Sequence, residues 1–277
     1  MQHDATNEAV VAEIHTNDTF QSGLKNILVF AENHAKSIFI IAIAGLLGGL
    51  GYFGYKMVLD RIERKAQEAY YSVQVKLDPI QSEFERAKYQ SLVKTESTKK
   101  EDKAKEPSGN LQNDFGGLMT ELEQVARQYP ATSAGAQAAI GAAKTYLEYQ
   151  KPDQAIEILQ VVAAQAPKNR ILSGLVDTLL GNAMANKGDC ESAVSVWQRV
   201  LDQKSYKFLH SEVSLRSGLC YESLNQSDKA REMFQLAAAD DSGSIGNMAS
   251  GGKSSPSQTK AKALLRALDL NSTANNK

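Results

Sequence analysis

The sequence predicts an all-α chain in which a single transmembrane helix leads into a solenoid of antiparallel helical hairpins. Three observations support that fold class. An uncharged apolar run covers residues 38–55 between Lys36 and Lys56. Beyond it, one pattern of small and bulky residues recurs three times in the same phase. No stretch shows the apolar–polar alternation, with a period of two, that a half-buried strand requires.

Taken in chain order, residues 1–19 are polar, acidic and aperiodic, and are expected as a disordered tail. Over 20–36, Phe20, Leu24, Ile27, Leu28 and Ala31 fall at helical spacing, which predicts an amphipathic juxtamembrane helix. Residues 37–55 follow as the transmembrane helix, because the uncharged run reaches roughly 27 Å, close to the ~30 Å hydrocarbon core. A cleaved leader fits poorly: acids lie among the residues before the run, and Gly51, Tyr52, Phe53 and Gly54 make a poor cleavage exit. Gly45 and Gly49, with Gly48, Gly51 and Gly54 nearby, give a small-residue face suited to close packing of another membrane helix.

After the span, Val58, Ile62, Ala66, Ala69, Tyr70, Val73 and Leu77 keep helical spacing, so 56–93 is expected as a helical extension broken near Pro79. Residues 94–114, rich in Lys, Glu, Asp, Ser and Thr, are expected as a charged linker. The repeat domain covers 115–239. Ala143, Tyr146, Ala155, Leu159, Val162 and Pro167 recur as Leu180-Gly181, Met184, Ala193, Trp197 and Val200, then as Gly218, Tyr221, Ala230, Phe234 and Ala237. The period is about 37–38 residues, and each unit sets a small residue on one helix opposite a bulky one on the next. Pro130 lies one period before Pro167, so a half repeat precedes the first full one. A Gly/Ser linker at 240–257, a capping helix at 258–270 and a tail at 271–277 complete the chain.

The charge balance, 31 basic against 32 acidic residues, gives no field for nucleic acid. His3, His15, His34 and His210 are scattered without the i, i+4 pairing of a helical metal site. Neither a glycine-rich phosphate loop nor a serine elbow is present. No catalytic residue, cofactor or metal is therefore expected, and the chain reads as a non-enzyme. Cys190 and Cys220 fall at adjacent ends of neighbouring helices, so a disulfide is geometrically open to them, as is a pair of buried thiols.

The recurring Leu-Gly, Tyr, Ala and aromatic positions resemble the tetratricopeptide repeat, whose unit is about 34 residues, with the extra residues placed in the turns. In the phase that this resemblance implies, the groove-facing positions are Gln137, Ile140, Lys144 and Leu147, then Leu175, Thr178, Asn182 and Ala185, then Glu212, Leu215, Leu219 and Glu222. That mixed, partly apolar lining suits a helix or an unfolded segment better than a carboxylate tail. A solvated concave face is the plain alternative.

The order of parts is similar to the YfgM-type family of bacterial inner-membrane proteins: Phe30, Ala31, Glu32, Asn33 and Lys36 enter an apolar Gly-rich span, and Tyr129-Pro130 ends a helix of the array. The resemblance covers about residues 20–76 and 115–239 and implies a single-pass protein with a periplasmic carboxy-terminal domain. It further implies association with the Sec translocon, whose subunits, exported clients or periplasmic chaperones would be the partners. The linker at 94–114 and the Gly/Ser insert depart from it. The charges pull the other way on sidedness, since Lys56, Arg61, Arg64 and Lys65 outnumber Lys25 and Lys36 and by themselves hold the large domain in the cytoplasm. The resulting expectation is a membrane-anchored protein-binding scaffold handing exported chains to periplasmic chaperones. The alternatives are an architectural, oligomerising repeat protein of the envelope and a cytoplasm-facing adaptor.

Overall fold

The computed structural model describes residue 25 and residues 34–92, 104–165, 170–239 and 255–275, with the side chains at 35, 38, 41, 42, 170 and 270–275 left out. Among the described residues the regular elements are helical: α1 (Ala35–Leu92), α2 (Leu111–Phe115), α3 (Leu118–Gln128), α4 (Ser133–Glu148), α5 (Pro152–Ala163), α6 (Arg170–Asn186), α7 (Cys190–Leu201), a 3-10 turn (Lys204–Tyr206), α8 (Lys207–Ser223), α9 (Ser227–Ala239) and α10 (Pro256–Asn275). The chain divides into two compact units, Met1–Asp60 and Arg61–Lys277.

In the first unit the described side chains from 43 to 58 are all exposed, and the large apolar ones are between 43% and 68% accessible. Among the described residues no helix is long and apolar enough to cross a membrane. The span expected at 37–55 is not a separate element but lies within the 58-residue α1. Ile38, Ile41 and Ala42, three of its apolar side chains, lie outside the described residues. Almost all of the expected tail and juxtamembrane helix at 1–36 lies outside them as well.

The second unit is built by one device repeated. α4 with α5, α6 with α7 and α8 with α9 form antiparallel hairpins, each packed on the next. Their turns share one hydrogen-bond pattern. The amides of Lys151, Asp189 and Gln226 reach back to the carbonyls of Tyr146, Met184 and Tyr221 at 2.8, 2.9 and 2.8 Å. The residue before each amide has positive φ: Gln150 at 56°, Gly188 at 92° and Asn225 at 58°. This left-handed closure satisfies the last helical carbonyls and reverses the chain within three residues.

Packing repeats in the same phase. Trp197 and Phe234 are 1% and 0% exposed, and each covers a glycine of the preceding helix, Gly181 and Gly218. The buried alanines of α4, Ala134, Ala136, Ala138, Ala139, Ala142 and Ala143, let that helix sit close to its neighbours without bulk. Caps fix the ends: the Thr132 hydroxyl accepts from Gly135 N at 3.0 Å, and Asp189 accepts from Ser192 N at 3.1 Å. Cys190 and Cys220 form a disulfide, with Cα atoms 5.2 Å apart, between the start of α7 and the body of α8.

The structure differs from the sequence reading at the amino end of this unit. The helix does not break at Pro79, which lies inside α1. Proline removes the bond to the carbonyl four residues back, here that of Val75, whose side chain is on the exposed face where water reaches it. The opposite face of α1 carries Val73 and Leu77, with Tyr70, Ile80 and Phe84, into a core shared with Phe115, Met119 and Leu122. That packing keeps the helix continuous through the proline. The expected half repeat is thus partnered, with α1 standing beside α3, and Lys76 pairs with Glu121 at 2.7 Å.

The expected linker at 94–114 is shorter than its composition suggested. Residues 93–103 lie outside the described residues, but 104–110 form a strap without regular secondary structure and Leu111–Phe115 is helical. At the carboxy end most of the expected Gly/Ser linker lies outside the described residues. The capping helix runs Pro256–Asn275 and buries Ala261 with Leu215, Phe234 and Ala237.

Candidate functional site

The amino end of the array carries a cleft of about 1020 Å³ between α1, the 104–110 strap, α2 and α4. Each wall follows from local sequence. Phe84 and Ala87 continue the inward face of α1 that Val73, Leu77 and Ile80 begin. Asn110 caps α2, its side chain accepting from Asn113 N at 3.1 Å, and turns Phe115 inward. Phe84, Phe115 and Tyr149 then meet edge to face, with ring centroids 5.8 Å apart in each pair.

Asp114 fastens these parts together. Its buried carboxylate accepts from Ser108 N at 2.9 and 3.1 Å and from the Tyr149 hydroxyl at 2.7 Å. Burial opposes the charge, but the Tyr149 and Ser108 hydrogen bonds, with Lys105 nearby, outweigh it and hold the carboxyl below the usual range. Tyr149 is displaced upward, by burial first and then by its bond to Asp114. The strap's other end is tied where Ala104 N donates to Gln90 Oε1 at 3.3 Å.

The cleft's rim is charged. Glu85 and Lys88 face it from α1, Glu106 from the strap, and Lys144 and Glu148 from α4. Among the described residues none of these five takes part in an ion pair, although Lys76, Arg127, Lys187, Arg199, Arg216 and Arg231 all do.

The groove positions inferred from the sequence fall into two sets. Gln137 and Lys144 are exposed, and Lys144 lines the cleft. Ile140 and Leu147 are half-buried on the first core, Leu175 on the second and Leu219 on the third. Asn182 is half-buried, and its Oδ1 is enclosed without a hydrogen-bond partner. Ala185 and Glu212 are half-buried and Glu222 is exposed, with Glu212 paired to Arg216. Thr178 and Leu215, 6% and 7% exposed, belong to the packing layers. The Thr178 hydroxyl donates to Gly174 O at 2.8 Å, and its carbonyl accepts from Trp197 Nε1 at 3.1 Å. Gly45 and Gly49 lie in the first unit, with no atom within 4 Å of where a Cβ would stand.

Sequence reasoning missed Glu85, Lys88, Glu106 and Asp114, because it placed them in a plain helical stretch or in a linker. The inward spacing of Phe84 and Ala87 and the helix start at Asn110 were the available signals.

A family model described as tetratricopeptide repeat-like domain matches residues 29–250. A crystal structure of MamA is similar over 62% of this chain and 98% of that chain, at 19% identity and a TM-score of 0.40. No curated protein matches the chain.

Proposed function

The chain belongs to the tetratricopeptide repeat-like domain family, and from that premise we propose that it is a membrane-anchored scaffold that binds proteins and catalyses no reaction. The observation that carries this reading is the recurrence of one hairpin, with the same turn and the same bulky-on-small contact. Such stacking builds a long helical surface whose outer positions are free of packing duties, which suits recognition of other chains.

The anchor is supported by the uncharged run 38–55 and by the exposure of large apolar side chains from Phe39 to Val58. Leaving that many apolar groups in water is unfavourable by about 25 cal/mol per Å², and lipid removes the cost. The resemblance to the YfgM-type family supports a periplasmic repeat domain, association with the Sec translocon, and transfer of exported clients to periplasmic chaperones. The Cys190–Cys220 bridge supports the same sidedness, because disulfides persist in oxidising compartments.

The Lys and Arg residues after the run favour a second reading, a cytoplasm-facing adaptor. Protease treatment of spheroplasts and of sealed inverted vesicles separates the two. Digestion of the 61–277 unit in spheroplasts supports the first, and digestion only in inverted vesicles overturns it. Photocrosslinking from Gln137 and Lys144 during active export then tests binding. Crosslinks to exported chains or translocon subunits are expected, whereas self-contacts alone would favour an architectural, oligomerising protein.

A further inference from the structure

We propose that the Cys190–Cys220 bridge is a redox latch on the joint between the second and third hairpins, opened by a dithiol that enters at Cys190. With the bridge reduced, the bridged ends of α7 and α8 part, while the turn at 202–206 still joins their other ends. The latch works in the same way whatever the scaffold binds.

The two joints between hairpins use corresponding helix positions but fill them differently. Where α6 packs on α5, Val176, Leu180 and Ala183 are buried in one core with Ile158, Leu159 and Val162. One period later, where α8 packs on α7, the same positions hold Val213, Ser217 and Cys220, so a hydroxyl stands in the place of Leu180. Ser217 is 1% exposed, and its Oγ is enclosed without a hydrogen-bond partner. Closing this end of the joint leaves that hydroxyl unsatisfied, and opening hydrates it. The large buried residues lie toward the other end: Trp197, Val200, Leu209 and Val213 share a core in the half nearer the turn. Toward the bridge the fully buried members are the small Ala193 and Cys220, with Met184 and Val194 only partly covered. Apolar packing therefore secures one end of the joint, and the disulfide secures the other.

The bridge is open to attack from one side. Cys190, the first residue of α7, is half-buried, whereas Cys220 is 4% exposed. One thiolate of the incoming dithiol attacks Cys190 Sγ, so that a new S–S bond forms to Cys190, the bond to Cys220 breaks, and Cys220 leaves as a thiolate that takes a proton from water. The second thiolate then attacks the reductant's own sulfur in the mixed disulfide. The reductant closes into a disulfide, and Cys190 leaves with the electron pair and is protonated in turn. Two electrons have passed from the dithiol to the bridge. Ser223 stands at this exit, its hydroxyl 3.3 Å from Cys190 Sγ and 2.8 Å from the Cys220 carbonyl, so its proton can turn from the carbonyl to the departing sulfur.

The test uses the full chain in detergent micelles, oxidised or treated with dithiothreitol, with amide hydrogen exchange followed by mass spectrometry well below the melting range. Reduction should speed exchange about tenfold in peptides from 190–196 and 216–223, while 118–163 and 200–213 keep their protection and circular dichroism keeps its helical signal. Cys220→Ser should exchange as the reduced chain does, with or without dithiothreitol. Ser217→Ala removes the unsatisfied hydroxyl, so reduction of that variant should speed exchange only about threefold. Entry is read separately: brief exposure to cysteamine, then N-ethylmaleimide, should leave cysteamine on Cys190 and maleimide on Cys220 by peptide mass. Unchanged exchange after reduction, protection lost across the whole array, a full response in Ser217→Ala, or cysteamine on Cys220 each overturns the latch.

Discussion

Gly181 and Trp197 approach so closely that a Cβ on Gly181 would stand 2.3 Å from the indole nitrogen. The same relation holds for Gly218, where a Cβ would meet Phe234 at 2.4 Å. Each glycine is therefore the socket for the aromatic of its own hairpin. Gly181→Ala is expected to push the indole off its bond to Thr178 O and to lower stability by about 1–3 kcal/mol. Trp197→Ala empties the socket instead and should cost about 3–5 kcal/mol. Urea denaturation of the two variants followed by circular dichroism measures both; an unchanged midpoint for Gly181→Ala would show that the helices are not in contact at this level.

These contacts explain how much of the fold was legible beforehand. Gly181, Trp197, Gly218 and Phe234 stand at fixed separations because the hairpin geometry is the same in each unit, so periodicity alone located them. The route of α1 through Pro79 was not legible, because it depends on a long-range core with Phe115, Met119 and Leu122 that outweighs the local helix-breaking tendency. The same holds for the cleft. Its floor joins Phe84, Phe115 and Tyr149 from three separate helical segments and turns, and its rim residues look like ordinary surface charges until the fold brings them together. Thr178 and Leu215 show the opposite effect. A phase borrowed from the repeat pattern pointed them at a groove, whereas Thr178 is buried with its carbonyl bonded to the Trp197 indole and Leu215 is buried in one cluster with Phe234.

The bridge between Cys190 and Cys220 closes a loop of sequence separation 30 and links one hairpin to the next. In the chain-entropy picture a loop of that size stabilises by about 3–4 kcal/mol. Reduction should therefore lower the denaturation midpoint, and Cys190→Ala, Cys220→Ala and the double variant should fall together, insensitive to dithiothreitol. A reductant-insensitive midpoint for the unaltered chain would mean that the bridge is not formed in the purified protein.

Asp114 ties the strap to the first hairpin through its charged form, and its carboxyl is held below the ordinary range. A depressed folded-state value means that the contribution is fully present above the unfolded value, about pH 4, and is lost as pH falls through the folded one. Asp114→Asn should cost about 1.5–3 kcal/mol at neutral pH, the range for bonds to a charged group. Its deficit relative to the unaltered chain should shrink below about pH 4. Paired denaturation curves at pH 7 and pH 3 provide the comparison, and a deficit that widens on acidification would reverse the assignment.

The three hairpin turns offer a comparison free of core packing. Gln150, Gly188 and Asn225 occupy the same left-handed position, with φ of 56°, 92° and 58°. A β-carbon there crowds the neighbouring carbonyl at a cost of roughly 1–2 kcal/mol, which glycine escapes and asparagine tolerates better than most residues. Gln150 bears that cost without the compensation, because it is an exposed residue at the end of α4. Gln150→Gly is therefore expected to raise stability by about 0.5–1 kcal/mol, the strain relieved being partly offset by the freer unfolded chain. Gly188→Ala should lower it by about 1–2 kcal/mol. Because Trp197 is the sole tryptophan, its emission reports on the second hairpin in both variants while circular dichroism follows the whole array. If Gln150→Gly destabilises while Gly188→Ala is neutral, the two turns do not share one backbone conformation, and the repeat begins later in the chain than the hydrogen bonds of Lys151 and Asp189 place it.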